Sequence, residues 1–224
     1  RRRNRHAAAG HGNGPPGRVI RIITTLVSVA YAVVLAVSRI HLQTTARQVV
    51  AYIPTAIGLG LVLFDKVAWR WPGIHRFSGR PRVDGTWRAT LIPNPESKIP
   101  GGGNWGPIDA AVLVTQTYWT LHVTLMTAES SSDSTVATIR SVGESTSRSR
   151  LTYAYLNEPR QEHRPRSHPH GGATTLDMTG RLPDQMSGAY WTDRLTAGDM
   201  TLARLTRDTG FNTLDEVNEA FPRS

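Results

Sequence analysis

Hydrophobic and polar positions follow two different patterns along the chain, and the change comes near residue 83. Before it lie two uninterrupted apolar runs without internal charge, residues 22–38 and 49–64. After it, apolar and polar residues alternate in short segments separated by clusters of Gly, Pro, Ser, Asn and Asp. Uninterrupted apolar runs favour helices buried on every side, whereas a period of two favours β-strands. The pattern therefore predicts a helical first part and an all-β second part.

The two apolar runs predict a two-helix transmembrane hairpin over residues 18–71. At roughly 1.5 Å per residue, each run spans about 25 Å, which is near the lower limit for a bilayer core. Trp69 and Trp71 follow the second run and are expected at the membrane interface. Basic residues are concentrated before the first run and after the second, so the positive-inside rule predicts that both termini and the β part are cytoplasmic. Two alternatives stay open, a buried helical hairpin and a soluble helix pair with an exchanged partner.

The alternating part predicts an antiparallel, eight-stranded, up-and-down barrel of the lipocalin-like type over residues 83–207. Turn-forming residues separate evenly spaced segments, which favours consecutive strands that pair as neighbours. Eight such strands enclose a lumen that is filled by side chains or holds one small ligand. In the tail, residues 208–224, a helix is predicted at 213–221 because Thr213 and Glu216 have capping-box spacing. The predicted strands are 86–92, 108–115, 118–127, 135–142, 151–157, 173–179, 188–194 and 200–206.

Positive charge is concentrated at the start of the chain. The formal net charge is +9, and residues 1–21 hold six arginines and no acidic residue. The remainder has 20 basic and 17 acidic residues, which is close to balance. The surplus belongs to an Arg/Gly/Pro-rich tail, residues 1–17, which has little to bury and is predicted to be disordered. No DNA or RNA polymer is therefore expected as a partner.

The sequence gives little support to catalysis or metal binding. Cysteine is absent, which excludes disulfides, thiolate metal sites and cysteine nucleophiles. The GGGNWG segment has the glycine spacing of a dinucleotide-binding loop, but a proline and a strand follow where a helix N-terminus is needed. His163, His168 and His170 share a basic, proline-rich loop without the rigid support of a metal site. Because hydrolase and metallopeptidase motifs are also missing, we expect no enzyme, no metal and no cofactor.

Tyrosines lie on one face of two predicted strands, beside groups that form hydrogen bonds. Residues two apart in a strand share a face, and both LTYAYLNEP and GAYWTDR place aromatic and polar residues in this way. Rings that stack on bases and a guanidinium that binds phosphate suit a nucleotide-like ligand. The alternative is that the tyrosines fill the lumen and the arginine is a rim charge. The candidate residues are Tyr153, Tyr155 and Tyr190 for stacking, Thr192 and Asn157 for polar edges, and Arg194 with Arg140 for phosphate.

The layout over residues 18–207 resembles a known family. Two membrane helices precede a barrel whose strands read VDGTWRATL, QTYWTLHVTLMTAESSSDS, LTYAYLNEP, HPHGGATTL and SGAYWTDRLTAGDMTLAR in this order. In this arrangement the chain is similar to the two-transmembrane β-barrel effectors of bacterial CBASS anti-phage systems. These act beside a cGAS/DncV-like nucleotidyltransferase.

The resemblance implies a receptor for a cyclic dinucleotide that the nucleotidyltransferase makes during infection. It also implies a homo-oligomer that forms in the lipid of the inner membrane when the ligand binds. The assembled helices would then disrupt the membrane, so that the cell stops growing or dies before phage matures.

Two other classes of function stay open at this point. A membrane-anchored, lipocalin-like carrier of an apolar ligand predicts an aliphatic lumen with no inward charge. A structural interaction module predicts a fully packed barrel without a pocket. The direction in which Arg194 and Arg140 point distinguishes the receptor from the carrier.

Overall fold

The computed structural model describes residues 44–99, 103–142, 147–163 and 168–223, together with the four helical residues 27, 30, 31 and 33. The chain forms two compact units, residues 1–67 and 68–224. In the first unit, helix α1 (Thr44–Lys66) contains the second apolar run. The predicted tail and most of the first apolar run lie outside the described residues. Within the part of the chain that the structure describes, no helix is long and apolar enough to cross a membrane.

The second unit contains eight antiparallel strands that close into a barrel in sequence order, which confirms the predicted up-and-down topology. Each strand pairs with its neighbours along the chain, and the ring closes where β1 pairs with β8. The strands are β1 (Gly85–Pro93), β2 (Ile108–Gln116), β3 (Leu121–Thr127), β4 (Ser130–Ser141), β5 (Arg148–Pro159), β6 (His170–Thr179), β7 (Gln185–Thr192) and β8 (Ala197–Thr206).

The inward-facing residues of these strands form the main core. Because side chains alternate across a strand, the apolar positions of every second residue meet in the lumen. Trp87, Leu151, Tyr153, Leu176 and Met200 are among the fully or almost fully buried members of this cluster.

A C-terminal helix, α3 (Leu214–Ala220), covers part of the outside of the barrel. Leu214 and Val217 pack against Ala111, Leu113 and Met126 in a second apolar cluster. The Thr213 hydroxyl accepts a hydrogen bond from the backbone nitrogen of Glu216, as predicted from the capping-box spacing. The Glu216 carboxylate accepts its backbone hydrogen bond from Asn212, one residue before the cap.

Two strand boundaries near β3 and β4 differ from the prediction. Residues 118–120 were predicted to begin the third strand, but they belong to a turn in which the Thr117 backbone nitrogen donates to Thr120 O. The serine run before residue 135 was predicted to be a separator, but it forms the first part of β4. This part of the strand is stabilised because Ser132 faces inward, where its hydroxyl oxygen accepts a hydrogen bond from the side-chain nitrogen of Asn157.

The pairing between β3 and β4 is short. It comprises Thr124 with Asp133, Leu125 with Ser132, and Met126 with Ser131. β4 continues to Ser141 and pairs along that length with β5 alone, after a register shift between Ser134 and Val136. We call this short pairing the β3–β4 seam.

One end of the barrel is closed by the residues that lead into β1, and we call it the sealed end. A 3₁₀ turn (Ala68–Arg70) and helix α2 (Pro72–Ser78) precede them. The buried Gln116 side chain accepts a hydrogen bond from Val83 N at 2.8 Å and donates one to Pro81 O at 2.9 Å. Trp69 is 0 % exposed and packs edge-on against Tyr118. The expectation of an interfacial position for Trp69 is therefore wrong, because this ring is part of the barrel unit's interior.

Candidate functional site

The opposite end of the barrel, which we call the mouth, holds a cavity of about 550 Å³. Its walls come from the ends of seven strands, from the turn before β8, from the loop between β1 and β2 and from α3. A cavity of this volume is within the range of small-molecule sites in proteins. The third reading of the sequence, a fully packed barrel without a pocket, is therefore not supported.

Five of the seven predicted site residues meet in this cavity: Tyr155, Asn157, Tyr190, Thr192 and Arg194. They come from the mouth ends of β5 and β7 and from the turn after β7. Tyr153 does not line the cavity: its side chain is 2 % exposed, and its ring centre lies 5.9 Å from that of Tyr155. It therefore forms part of the floor under Tyr155.

Arg140 is the predicted residue that the fold places elsewhere. It is exposed on the outer face of β4, directly opposite Arg150 of β5. The register shift between Ser134 and Val136 is the reason. Before the shift, the even-numbered Ser132 faces the lumen. After the shift, the odd-numbered Ala137 and Ile139 pack against the core, so the inward face of β4 changes from even-numbered to odd-numbered residues. Arg140, an even-numbered residue after the shift, consequently points outward.

The ring of Tyr155 lies against Gly172, its cross-strand partner in β6. A Cβ atom at position 172 would come within 2.5 Å of both Cζ and the hydroxyl oxygen of Tyr155. Real Cβ atoms essentially never approach other atoms this closely, so glycine is needed here for the ring to take its position. Gly172 therefore sets the orientation of an aromatic wall of the cavity.

The tyrosine hydroxyls remain neutral at physiological pH. Burial raises the pKa of Tyr153 to about 12. Burial is also the main cause of the raised pKa of Tyr155, with smaller contributions from neighbouring phenols and Asp193, and of the raised pKa of Tyr190. Neutral hydroxyls can donate hydrogen bonds to an anionic ligand.

The turn between β7 and β8 holds Arg194 at the rim of the cavity. The hydroxyl oxygens of Thr192 and Thr196 lie 2.6 Å apart across this turn, and Asp193 accepts a hydrogen bond from Gly171 N at 2.9 Å. The sequence placed Arg194 on a strand, but it lies in this turn, because β7 ends at Thr192 and β8 begins at Ala197.

His170 lies beside the Arg194 guanidinium, with 3.4 Å between its Nδ1 and an Arg194 terminal nitrogen. Burial, with the positive charge of Arg194 as a further cause, lowers the pKa of His170. The imidazole is therefore neutral at physiological pH, and Arg194 supplies the positive charge at this side of the cavity.

A cluster of hydroxyl and amide groups forms the wall contributed by β4 and β5. The Asn157 side-chain nitrogen donates to Ser130 Oγ at 2.9 Å and to Ser132 Oγ at 2.8 Å. All three residues line the cavity. Since each serine oxygen accepts from Asn157, its own hydrogen can be donated to another acceptor. The sequence reading missed both serines because the run was assigned to a loop; the signal was a polar residue at an inward position of β5, which requires partners.

The cavity thus combines two phenol rings, one guanidinium and a polar cluster. Such a set can stack on a planar base, bind a phosphate oxygen and form hydrogen bonds with the edge of a base. Asp109 and Glu129 also lie at the rim, and the carboxylate of Asp109 pairs with Arg223. Among the described residues, no group of three His, Asp or Glu side chains could hold a metal ion.

Comparison with known proteins agrees with this geometry. The family described as "Cap15, cyclic dinucleotide receptor domain" matches residues 79–204, which cover the barrel to within two residues of the end of β8 and include all the candidate site residues. The protein named CD-NTase-associated protein 15 from Staphylococcus schleiferi is 26 % identical over 157 residues, which are 70 % of this chain and 79 % of that protein. The family resemblance drawn from the sequence is confirmed. This chain belongs to the family of Cap15 cyclic dinucleotide receptor domains.

Proposed function

We propose that this protein is a membrane effector of CBASS anti-phage defence whose barrel binds a cyclic dinucleotide in the mouth cavity. Binding then drives oligomerisation of the helical part and disruption of the bacterial inner membrane. The observation that carries the binding site is that Tyr155, Tyr190 and Arg194, chosen from the sequence pattern, line one cavity of the barrel.

The two rings provide the stacking surfaces. Base–aromatic stacking contributes about 1–3 kcal/mol per base, and two tyrosines match the two bases of a cyclic dinucleotide. The orientation of Tyr155 is set in advance by Gly172, so little conformational entropy is lost when a base binds against it.

The phosphate side is provided by Arg194. A guanidinium forms charge-assisted hydrogen bonds with phosphate oxygens, and a neutral His170 next to it adds a donor or an acceptor without a second charge. Thr192, Asn157 and Ser132 supply polar groups for base edges or sugar hydroxyls. A carrier of an apolar ligand has no use for a charged residue in its cavity, so the position of Arg194 favours the receptor over the lipocalin-like carrier.

The membrane part of the proposal is supported by helix α1. Tyr52, Leu59 and Val62 are large apolar residues of this helix and are exposed in the single chain. Exposed apolar surface of this extent is typical of contact with lipid or with other chains. A ligand that binds the assembled state more tightly than the single chain shifts the equilibrium toward assembly, and confinement to a membrane raises the effective concentration.

The supplier of the ligand is proposed to be a cGAS/DncV-like nucleotidyltransferase. The name of the Staphylococcus relative states association with such an enzyme.

The experiment is calorimetric titration of the full chain in detergent with a panel of cyclic dinucleotides, comparing wild type with Arg194→Ala. Hydrogen bonds to charged groups contribute about 1.5–3 kcal/mol, so we expect the affinity to fall roughly 10- to 150-fold. The matched control is Arg140→Ala, which removes the same side chain from the outer wall and is expected to leave the affinity unchanged. Equal affinity of wild type and Arg194→Ala would contradict the site. Displacement of a fluorescent fatty-acid analogue, with no binding of any cyclic dinucleotide, would favour the carrier.

A further inference from the structure

We propose that the sealed end of the barrel is a docking surface for anionic lipid headgroups, with α2 lying in the membrane interface. The inference rests on the proposed membrane attachment and adds a second contact with the bilayer, made by the barrel unit itself. It also fixes which end of the receptor faces the lipid.

The first observation is an exposed aromatic stripe on α2. Phe77 is 92 % exposed and Trp71, at the N-cap of the helix, is 56 % exposed. Ile74 and Phe77 are three residues apart in the helix and therefore lie on the same side of it, and Trp71 lies at its start. Large apolar residues on one side of a basic segment are typical of helices that lie in the plane of a membrane interface.

The second observation is that this segment is held against the barrel. Arg70 donates a hydrogen bond of 2.5 Å to Gln116 O, and Arg80 donates one to Tyr118 O, both at the turn between β2 and β3. Trp69 packs against Tyr118 between these two contacts. Since both sides of α2 are fixed to the same turn, the helix cannot turn its aromatic side chains inward without breaking these contacts.

The third observation is the charge around the sealed end. Arg148 and Arg181 are exposed there, near the turns between β4 and β5 and between β6 and β7. A backbone hydrogen bond of 2.8 Å from Arg82 N to Arg181 O joins the second turn to the segment before β1, and one of 2.7 Å from Gly180 N to Ser147 O joins the two turns to each other. Exposed arginines and exposed aromatic residues at the same end of the barrel are the combination that anionic headgroups attract.

The mouth carries charge of both signs, with Arg194 in the cavity and Arg223 paired with Asp109 at its rim. Asp109, Glu129 and Asp215 line its cavity, and Glu158 is exposed on the outer face of β5 next to it. An anionic surface therefore attracts the sealed end more strongly than the mouth. In this arrangement the cavity opens away from the lipid, where a soluble ligand has free access.

The absence of cysteine from the sequence allows a direct test. The full chain carrying Phe77→Cys is labelled with nitrobenzoxadiazole and reconstituted into phosphatidylcholine vesicles that contain phosphatidylglycerol and a doxyl-labelled lipid. We expect a blue shift and loss of roughly half of the emission, because side chains of an interfacial helix lie about 5–10 Å into the headgroup and acyl boundary. The matched control is Leu156→Cys, an exposed apolar position on the wall near the mouth, which we expect to remain unquenched.

A further variant tests the charge. The double substitution Arg148→Gln and Arg181→Gln, in the Phe77→Cys chain, is expected to reduce the quenching to the level found with phosphatidylcholine alone. The proposal is overturned if the label at 77 is as accessible to aqueous iodide as the label at 156, or if the arginine variant is quenched like its parent. Titration of the same labelled chain with a cyclic dinucleotide separates the two proposals. If the ligand binds but the label at residue 77 is accessible to iodide, only the lipid-docking proposal is contradicted. If the label is protected but no ligand binds, only the proposed receptor function is contradicted.

Discussion

At the scale of single residues, the site depends on a position that has no side chain. Gly172 of β6 is the direct partner of Tyr155 on the adjacent strand β5, and the phenol ring occupies the space that a Cβ atom would need. The adjacent Gly171 differs, since a Cβ atom there would meet its nearest neighbour at 3.6 Å, an ordinary contact. Of these two neighbouring glycines, therefore, only Gly172 is needed to leave space for the ring.

We predict that Gly172→Ala weakens ligand binding about tenfold or more, because the displaced ring loses a stacking interaction of about 1–3 kcal/mol. The crowding itself is expected to lower the free energy of unfolding by about 1–3 kcal/mol. Calorimetric titration and urea unfolding of the same preparations measure the two effects. Gly171→Ala is the control and should bind like wild type. If Gly172→Ala kept the wild-type affinity while remaining folded, Tyr155 would not be a stacking surface.

At the scale of the elements, β4 and β5 are connected near the mouth by the Asn157 side chain. Its nitrogen donates to two serines of β4, and the residue is buried. Ser132 is itself 2 % exposed, so its hydroxyl has little access to water if this bond is lost. The first part of β4 has few apolar residues, which makes this polar contact important for its position.

We predict that Asn157→Ala lowers the free energy of unfolding by about 1–3 kcal/mol, because it leaves a buried hydroxyl without its partner. Urea unfolding, followed by circular dichroism, measures this change. Ser131→Ala removes a hydroxyl from the outward face of the same strand and should change the stability by less than about 0.5 kcal/mol. Equal effects of the two substitutions would show that Asn157 does not stabilise the start of β4.

The strands were largely predictable from the sequence, and the reasons for the exceptions are physical. Alternation of apolar and polar residues identified all eight strands and their neighbour pairing. It could not identify the serine-rich first part of β4, whose inward residue Ser132 is hydrogen-bonded by a side chain of the next strand. It also could not reveal the register shift after Ser134, which turned Arg140 outward, whereas Arg194 reaches the cavity from a turn. Local pattern thus determined the elements, and contacts between strands determined which charged residue reaches the site.

At the scale of the whole molecule, the lumen contains phenols that resist ionisation. Tyr153 lies in the packed part of the core, and burial raises its pKa to about 12, above the ordinary value of 10.0. The folded state therefore holds the phenolic proton more tightly than the unfolded state. The stability due to this group is complete below pH 10, and it decreases as the pH rises toward 12.

We predict that the free energy of unfolding falls by about 1 kcal/mol between pH 9 and pH 11 through Tyr153 alone. Urea unfolding of wild type and Tyr153→Phe at both pH values measures this contribution, and the loss should be smaller in the variant by that amount. The control is the same comparison between pH 7 and pH 9, over which the difference between the two proteins should stay constant, since the contribution of Tyr153 is complete below pH 10. A Tyr153→Phe protein with the full wild-type loss would contradict the prediction.

The strand pairing of the barrel is shortest at the β3–β4 seam, which forms part of the cavity wall. Three residue pairs cross it, whereas each of the other pairings in the ring has six or more, so fluctuations that separate the strands cost least there. Leu125 and Ser132 face each other across it, and both touch the cavity. A ligand in contact with both residues would link β3 and β4 from inside the barrel and would restrict the fluctuations of these strands. Ligand binding would then make the barrel more rigid without a change in the position of any strand.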